Sequence, residues 1–91
     1  MNLERLFSSR TRIKLLHLFL LNPEREIHVR EICRITAVNI NAVRRELANL
    51  EGIGLLASRR VGNARLYTVN IAFPVYQELV SIFLKMKSGP D

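Results

Sequence analysis

Hydrophobic and polar positions alternate most clearly between Asn39 and Leu56, in the segment NINAVRRELANLEGIGLL. With about 100° between successive residues, as in an α-helix, four aliphatic side chains form a stripe about 80° wide: Ile40, Val43, Leu47 and Leu50. The other side of the wheel carries amides, arginines and alanines with no acid at its centre: Asn41, Ala42, Arg44, Arg45, Ala48 and Asn49. Asn39 is a favoured N-cap, and Gly52 and Gly54 favour a helix end. The pattern predicts a helix that packs its whole aliphatic stripe inward.

A more apolar helix is predicted earlier in the chain, over residues 9–21. Its apolar side chains fall on almost every side of the wheel, so it has to be covered from several directions. Ser8 or Ser9 can cap its start, and Asn22-Pro23 ends it because proline lacks the hydrogen-bond donor that the next turn needs.

Between these two helices the pattern predicts a short strand over residues 27–29 and a helix over about residues 29–36. The apolar side chains of this helix recur at every third position: Val29, Ile32 and Ile35. Residues 36–39 form a tight link to the helix that follows. The two helices are therefore a predicted helix-turn-helix, in which the first supports the second against the core.

Two strands are predicted after the third helix, over residues 55–60 and 65–69. Gly62-Asn63 favours a hairpin turn between them, since both residues tolerate positive φ. Four side chains near the hairpin tip are too polar for a core: Arg59, Arg60, Asn63 and Arg65. The hairpin is a candidate wing that places guanidinium groups along a phosphate backbone or in a minor groove. The alternative is an exposed basic hairpin that serves only solubility.

The last predicted helix starts at Pro74 and runs to about Met86, with residues 87–91 expected as a disordered tail. Its apolar residues span about 200° of the wheel, more than one small domain can cover. We therefore expect a two-fold interface with a second copy, to which an N-terminal apolar patch also contributes: Leu3, Leu6, Phe7, Tyr76, Leu79, Val80, Phe83 and Met86. The alternative is a helix that wraps around its own domain and leaves some apolar surface exposed.

Charge narrows the choice of partner. The 91 residues have room for one domain, expected over residues 1–86, and 14 Lys and Arg against 8 Asp and Glu give a formal net charge of +6. Twelve of these cations precede residue 66, and eleven are arginines, which suit bidentate contacts with phosphate and guanine. The basic part of the chain therefore suits a polyanionic partner. A cytoplasmic protein is expected, because Cys33 has no second cysteine to pair with and no stretch resembles a secretory signal or membrane span.

No group of residues has the spacing of a catalytic or cofactor site, so neither an enzyme nor a cofactor is predicted. His17 and His28 lack a second ligand at metal-binding spacing; core packing is the better interpretation for His17, and a surface or phosphate contact for His28. Cys33 is interpreted as a small buried hydrophobe, with a redox switch assisted by Arg34 as the alternative.

The segment VRRELANLEGIGLL from Val43, followed by SRRVGNARLY from Ser58, resembles the recognition helix and wing of ArsR-like winged helix-turn-helix transcriptional regulators. It is most similar to the winged-helix modules that precede a nucleotidyltransferase domain in some archaea and bacteria. The resemblance covers roughly residues 3–85. It implies a mainly α fold with a three-helix core, a two- or three-stranded wing and a C-terminal dimerisation helix. It also implies a homodimer that binds an operator.

Two departures limit what the resemblance implies. The metal-sensing members carry two cysteines separated by one residue, whereas residues 31–35 contain Cys33 alone, so no metal site is implied. The chain ends at Asp91 without a nucleotidyltransferase domain, so no catalytic residue of that domain is transferred. The chain is either a stand-alone regulator or a fragment of a longer protein.

The main hypothesis is a homodimeric regulator that binds double-stranded DNA at a specific sequence, with or without an effector ligand, which the sequence does not identify. Asparagine pairs well with adenine and arginine with guanine in the major groove, which suits four residues of the third helix: Asn41, Arg44, Arg45 and Asn49. Arg30 and Asn39 would contact phosphates near helix starts, and Arg59, Arg60, Asn63 and Arg65 would form the wing contact. The alternatives are a protein-docking or dimerisation module without specific DNA binding, and a non-specific chromatin-like binder.

Overall fold

The computed structural model describes residues 9–88, with side chains for residues 9–86. The elements within this range are α1 Arg10–Leu20, β1 Ile27–His28, α2 Val29–Thr36, α3 Ile40–Gly52, β2 Leu56–Val61, β3 Ala64–Val69 and α4 Tyr76–Ser88. The strands form one antiparallel sheet in the order β1-β3-β2, so the wing is three-stranded. The predicted helix-turn-helix and hairpin are both confirmed. The predicted interface patch of Leu3, Leu6 and Phe7 lies outside the described residues.

Local capping explains why α1 and α3 begin where they do. The Ser9 hydroxyl accepts a hydrogen bond from the Arg12 backbone N–H at 3.1 Å, which settles the choice between the two candidate caps of α1. The Asn39 side chain accepts from the Ala42 backbone N–H at 2.9 Å in the same way. Between α2 and α3, Ala37 adopts φ 57°, a left-handed conformation that ends α2 and turns the chain into α3.

The core lies between the helices and the inner face of the sheet. Six apolar residues of α1 are buried, which confirms that this helix is covered from several directions: Ile13, Leu15, Leu16, Leu18, Phe19 and Leu20. From α3, Val43, Leu47 and Leu50 are buried, as predicted. The prediction that Ile40 also points inward is wrong, because this first residue of α3 is 37% exposed. The Ile40 side chain lines an open cleft at the start of the helix instead of packing in the core.

The last helix packs partly on its own domain. It begins at Tyr76 rather than Pro74, which lies in the preceding turn, and it continues to Ser88. Phe83 is fully buried and meets the His17 ring edge-on, with ring centroids 4.9 Å apart. His17 is therefore a core-packing residue, as predicted. The prediction that Phe83 contacts a second copy is wrong, because its side chain is fully buried within its own domain. Four other predicted interface residues are half-buried against the core: Tyr76, Leu79, Val80 and Met86.

An ion pair joins α1 to α3 beside the core. Arg12 Nε donates to Glu46 Oε1 at 2.8 Å, and Arg12 Nη2 approaches Glu46 Oε2 at 3.5 Å. Glu46 is 7% exposed and lies on the buried side of α3, among the aliphatic residues. A buried carboxylate is costly without a partner, so Arg12 stabilises the inward packing of this helix.

We expect Arg12→Ala to lower the free energy of unfolding by about 1–3 kcal/mol, because it leaves the Glu46 carboxylate without its charged hydrogen-bond donor. Urea denaturation measures the loss. Arg34→Ala is the matched control, since it removes an exposed ion pair with Glu31 at 3.0 Å and should change stability by less than about 0.5 kcal/mol. Equal losses in the two variants would show that the α1–α3 ion pair has no special role.

Candidate nucleic-acid interface

The outer face of α3 is polar, basic and free of acids along most of its length. Ala42 is half-buried, and the other five residues predicted from the wheel are exposed: Asn41, Arg44, Arg45, Ala48 and Asn49. Neither Arg44 nor Arg45 forms an ion pair with any residue between 9 and 86. Glu46 lies on the opposite side, and Glu51 is near the C-terminal end of the helix. Both guanidinium groups of this face therefore keep their charge and donors for a ligand.

The starts of α2 and α3 contribute two further predicted residues. Asn39 is exposed and uses its side-chain oxygen to cap α3, while Arg30 is exposed in the first turn of α2. The backbone N–H of Arg30 donates to Nδ1 of His28 at 3.0 Å, so His28 is the N-cap of α2. Sequence reasoning missed this role because histidine is not among the favoured capping residues.

The hairpin turn places two arginines directly opposite each other. Gly62 has φ 61°, and Asn63 does not have positive φ, as expected of a type II′ turn with glycine at its first central position. In the register of β2 and β3, Val61 pairs with Ala64, and Arg60 pairs with Arg65. Arg60, Asn63 and Arg65 are all exposed near this tip, where they were predicted.

Arg59 differs from its two neighbours on the hairpin. Successive strand residues point to opposite faces, so Arg59 does not share a face with Arg60. Its guanidinium group donates to the Glu26 carboxylate through Nε at 2.6 Å and Nη2 at 2.8 Å. The hydrogen bond from Arg59 lowers the pKa of Glu26 below its ordinary value. The predicted wing contact thus has an acidic partner within the chain, 33 residues away, which local sequence patterns do not reveal.

A second set of polar contacts connects the hairpin to the end of α3. Arg65 Nη1 donates to the Ser58 hydroxyl at 2.9 Å, and that hydroxyl donates to Glu51 Oε2 at 2.7 Å. Tyr67 lies beside this set; burial raises its pKa, the charge of Glu51 adds to the rise, and Arg65 and Arg44 oppose it. The wing and α3 are therefore held together by side chains as well as by the sheet.

A cleft of about 740 Å³ separates the starts of α2 and α3 from the hairpin. Three cationic side chains border it, Arg30, Arg44 and Arg65. Apolar side chains also line it, among them Ile40 and Val61. The surface formed by the outer face of α3, this cleft and the hairpin tip is called the basic face below.

The described residues meet the requirements of neither a metal site nor a membrane-spanning helix. Within residues 9–86, no group of three or more His, Cys, Asp or Glu side chains could hold a metal ion. Among the helices that the structure describes, none is long and apolar enough to cross a membrane. Cys33 is half-buried and packs against the core, in keeping with its interpretation as a small hydrophobe.

A helix-turn-helix followed by the β2–β3 hairpin, with β1 completing a three-stranded antiparallel sheet, defines a winged helix-turn-helix fold. No protein-family model matches the sequence, and no curated protein matches it either. Solved structures of the same fold include AF1382 from Archaeoglobus fulgidus, with a TM-score of 0.74 and 12% identity over 94% of this chain and 97% of that one.

Two further solved structures are similar to this chain. A fragment described as a possible transcriptional regulatory protein from Mycobacterium bovis has a TM-score of 0.62 and 21% identity, over 88% of this chain and 77% of that one. A mutant of ZitR from Lactococcus lactis has a TM-score of 0.65 and 24% identity, over 88% of this chain and 56% of that one. At these identities the similarity establishes the fold.

We expect Arg59→Ala to raise the pKa of Glu26 towards its ordinary value, because the carboxylate loses the donor that stabilises its charged form. NMR titration of the Glu26 carboxyl measures the change. The lowered pKa in the folded state means that the pair stabilises the protein above the pKa of Glu26 in the unfolded chain. This contribution is lost as the pH falls through the folded-state value. Arg60→Ala should leave the Glu26 titration unchanged; an equal response to both variants would contradict a specific pair.

Proposed function

We propose that this protein is a sequence-specific regulator of transcription that binds double-stranded DNA through its basic face. The observation that carries the proposal is that the two arginines on the outer face of α3 are exposed and have no acidic partner within residues 9–86. These are Arg44 and Arg45, while Glu46 lies on the buried side of α3 and pairs with Arg12 of α1. A helix that presents asparagine and unpaired arginine suits the donor and acceptor pattern of the major groove.

In the proposed complex, α3 enters the major groove and the hairpin follows the adjacent backbone or minor groove. Asn41, Arg44, Arg45 and Asn49 contact base edges, and Arg30 and Asn39 contact phosphates near the helix starts. Arg60, Asn63 and Arg65 form the wing contact; Arg65 uses the donors that its one hydrogen bond to the neutral Ser58 hydroxyl leaves available. Arg59 contributes less than its neighbours, because a phosphate would have to compete with the Glu26 carboxylate for its guanidinium group.

The proposed assembly is a homodimer, which places two basic faces on a pseudo-palindromic site with half-sites about 10 base pairs apart or a multiple of that. Exposed aliphatic side chains on α4 support a second copy at this helix: Ile82 is 37% exposed and Leu84 is 50% exposed. The half-buried Tyr76, Leu79 and Met86 would border this contact. The N-terminal patch and Val80 remain part of the proposed interface, whereas Phe83 does not.

The finer classification is also a proposal. We propose an ArsR-like regulator that acts in the cytoplasm; its class is supported by the sequence of α3 and the hairpin and by the winged-helix fold. The proposed similarity to modules that precede a nucleotidyltransferase domain has the same support. A regulator of this class is compatible with an effector ligand.

Selection of genomic DNA fragments by the purified protein, followed by sequencing, tests this function. We expect one enriched pseudo-palindromic site, with affinity that falls steeply as salt rises because phosphate neutralisation releases counterions. The main alternative is a winged-helix docking or dimerisation module that does not bind specific DNA. Such a module would enrich no site, and its apolar contacts would be nearly indifferent to salt. Equal binding to any duplex would instead indicate a non-specific binder.

We expect Arg45→Ala to weaken binding to the selected site by about 1–3 kcal/mol and to relax the base preference at one position of each half-site. Arg60→Ala should weaken binding to all sequences alike and lower the salt slope by about one, since its partner is a phosphate. Arg34→Ala, which removes an exposed cation outside the basic face and the proposed dimer contact, is the control for loss of one charge. Fluorescence anisotropy on site variants measures all three, and a uniform loss in Arg45→Ala would contradict direct base contact by α3.

We expect Ile82→Asp to shift the protein from dimer to monomer, because a charge in an apolar contact is not compensated. Sedimentation velocity measures the shift, and binding to the two-half-site DNA should weaken with it. Ile53→Asp is the matched control, since Ile53 is 62% exposed after α3 and lies outside the proposed interface. An unchanged sedimentation coefficient in Ile82→Asp would place the dimer contact elsewhere or show the protein to be monomeric.

A further inference from the structure

An exposed aliphatic residue of the basic face lies at the first position of α3. Ile40 is 37% exposed and lines the cleft between the helix starts and the hairpin. Its neighbours on the outer side of the helix are polar or charged, beginning with Asn41 and Arg44. Across the cleft, Val61 is 48% exposed on the hairpin. The basic face therefore contains a small apolar site bordered by guanidinium groups.

The position of Ile40 on α3 relates it to a residue proposed to contact a base. Ile40 and Arg44 are four residues apart, so their side chains lie on the same side of the helix, with about 6 Å of helical rise between them. Both side chains line the cleft. In helix-turn-helix proteins the N-terminal residues of this helix contact base edges. A ligand that reaches Arg44 in the major groove therefore also comes close to Ile40.

An aliphatic side chain has one specific partner on the edge of a base pair. The 5-methyl group of thymine is the apolar feature of the major groove, and a contact with it distinguishes thymine from cytosine. Deoxyribose is the other apolar surface of DNA, but it carries no sequence information. Val61 lies on the hairpin, which is proposed to follow the backbone, and is the better candidate for a sugar contact.

Resting on the proposed function, we propose that Ile40 is a specificity-determining residue that contacts the 5-methyl group of one thymine in each half-site. The thymine lies about two base pairs from the base that Arg44 contacts, because the helical rise between the two residues is about twice the spacing of stacked bases. Ile40 then supplies thymine preference where neither an amide nor a guanidinium group can do so.

The test removes the methyl group from the DNA instead of altering the protein. Each thymine of the selected site is replaced in turn by deoxyuridine, which keeps every hydrogen-bonding group and lacks only the 5-methyl group. We expect one position in each half-site at which the wild-type protein loses about fourfold in affinity, the effect of one buried methyl group. That position should lie about two base pairs from the one where Arg44→Ala relaxes the base preference.

A paired variant links that methyl group to Ile40. Ile40→Ala should bind the thymine and deoxyuridine sites equally well, since the side chain that distinguishes them is gone. Ile53→Ala is the matched control: it truncates an exposed isoleucine just after the other end of α3 and should keep the full fourfold difference. Thermal melts of both variants establish that they are folded.

The outcomes separate this inference from the proposed function. If the wild-type protein selects no DNA site, both fail. If it selects a site but no deoxyuridine substitution weakens binding, or if Ile40→Ala keeps the sensitivity to the methyl group, the role of Ile40 is overturned while specific DNA binding stands. If Ile40→Ala weakens all duplexes alike, with or without the methyl group, the contact is with sugar or backbone and the inference is overturned.

Discussion

The fold depends on the ion pair between Glu46 of α3 and Arg12 of α1, which keeps the acid in the middle of α3 on its buried side. This helix has to pack against the core on one side and remain polar and basic on the other, yet it carries an acid, Glu46, in its middle. The carboxylate is on the buried side and is paired with Arg12 of α1 at 2.8 Å. One contact therefore anchors α3 to α1, satisfies a buried charge and keeps negative potential away from Arg44 and Arg45.

The hairpin shows a similar division between side chains used within the chain and side chains left for a ligand. Arg59 holds Glu26 ahead of β1, and Arg65 reaches Glu51 of α3 through Ser58. Arg60 has no ion pair within the described residues. These contacts join the hairpin to α3 and to the segment before β1, in addition to the strand pairing. The wing is thereby positioned before any ligand arrives, which lowers the ordering cost of binding.

Much of the architecture was predictable because the signals are local. Ser9 and Asn39 cap the helices that follow them, aliphatic spacing places Val43, Leu47 and Leu50 inward, and the glycine at position 62 supplies the positive φ of the hairpin turn. The predicted basic residues of α3 are exposed for the same reason. Each of these features depends on residues within about one or two helical turns of one another, so a periodicity or capping argument captures it.

The sequence by itself determined which segments are helices and strands, which side of α3 is polar, and where the arginines lie along the chain. Only the tertiary structure decided that Ile40 is exposed, that Phe83 fills the core against His17, and that Arg59 and Glu46 have partners 33 and 34 residues away. Hydrophobic periodicity assigns a side chain to a face of its own helix. It does not say whether another element covers that face at that level, because such contacts depend on how distant segments pack in space.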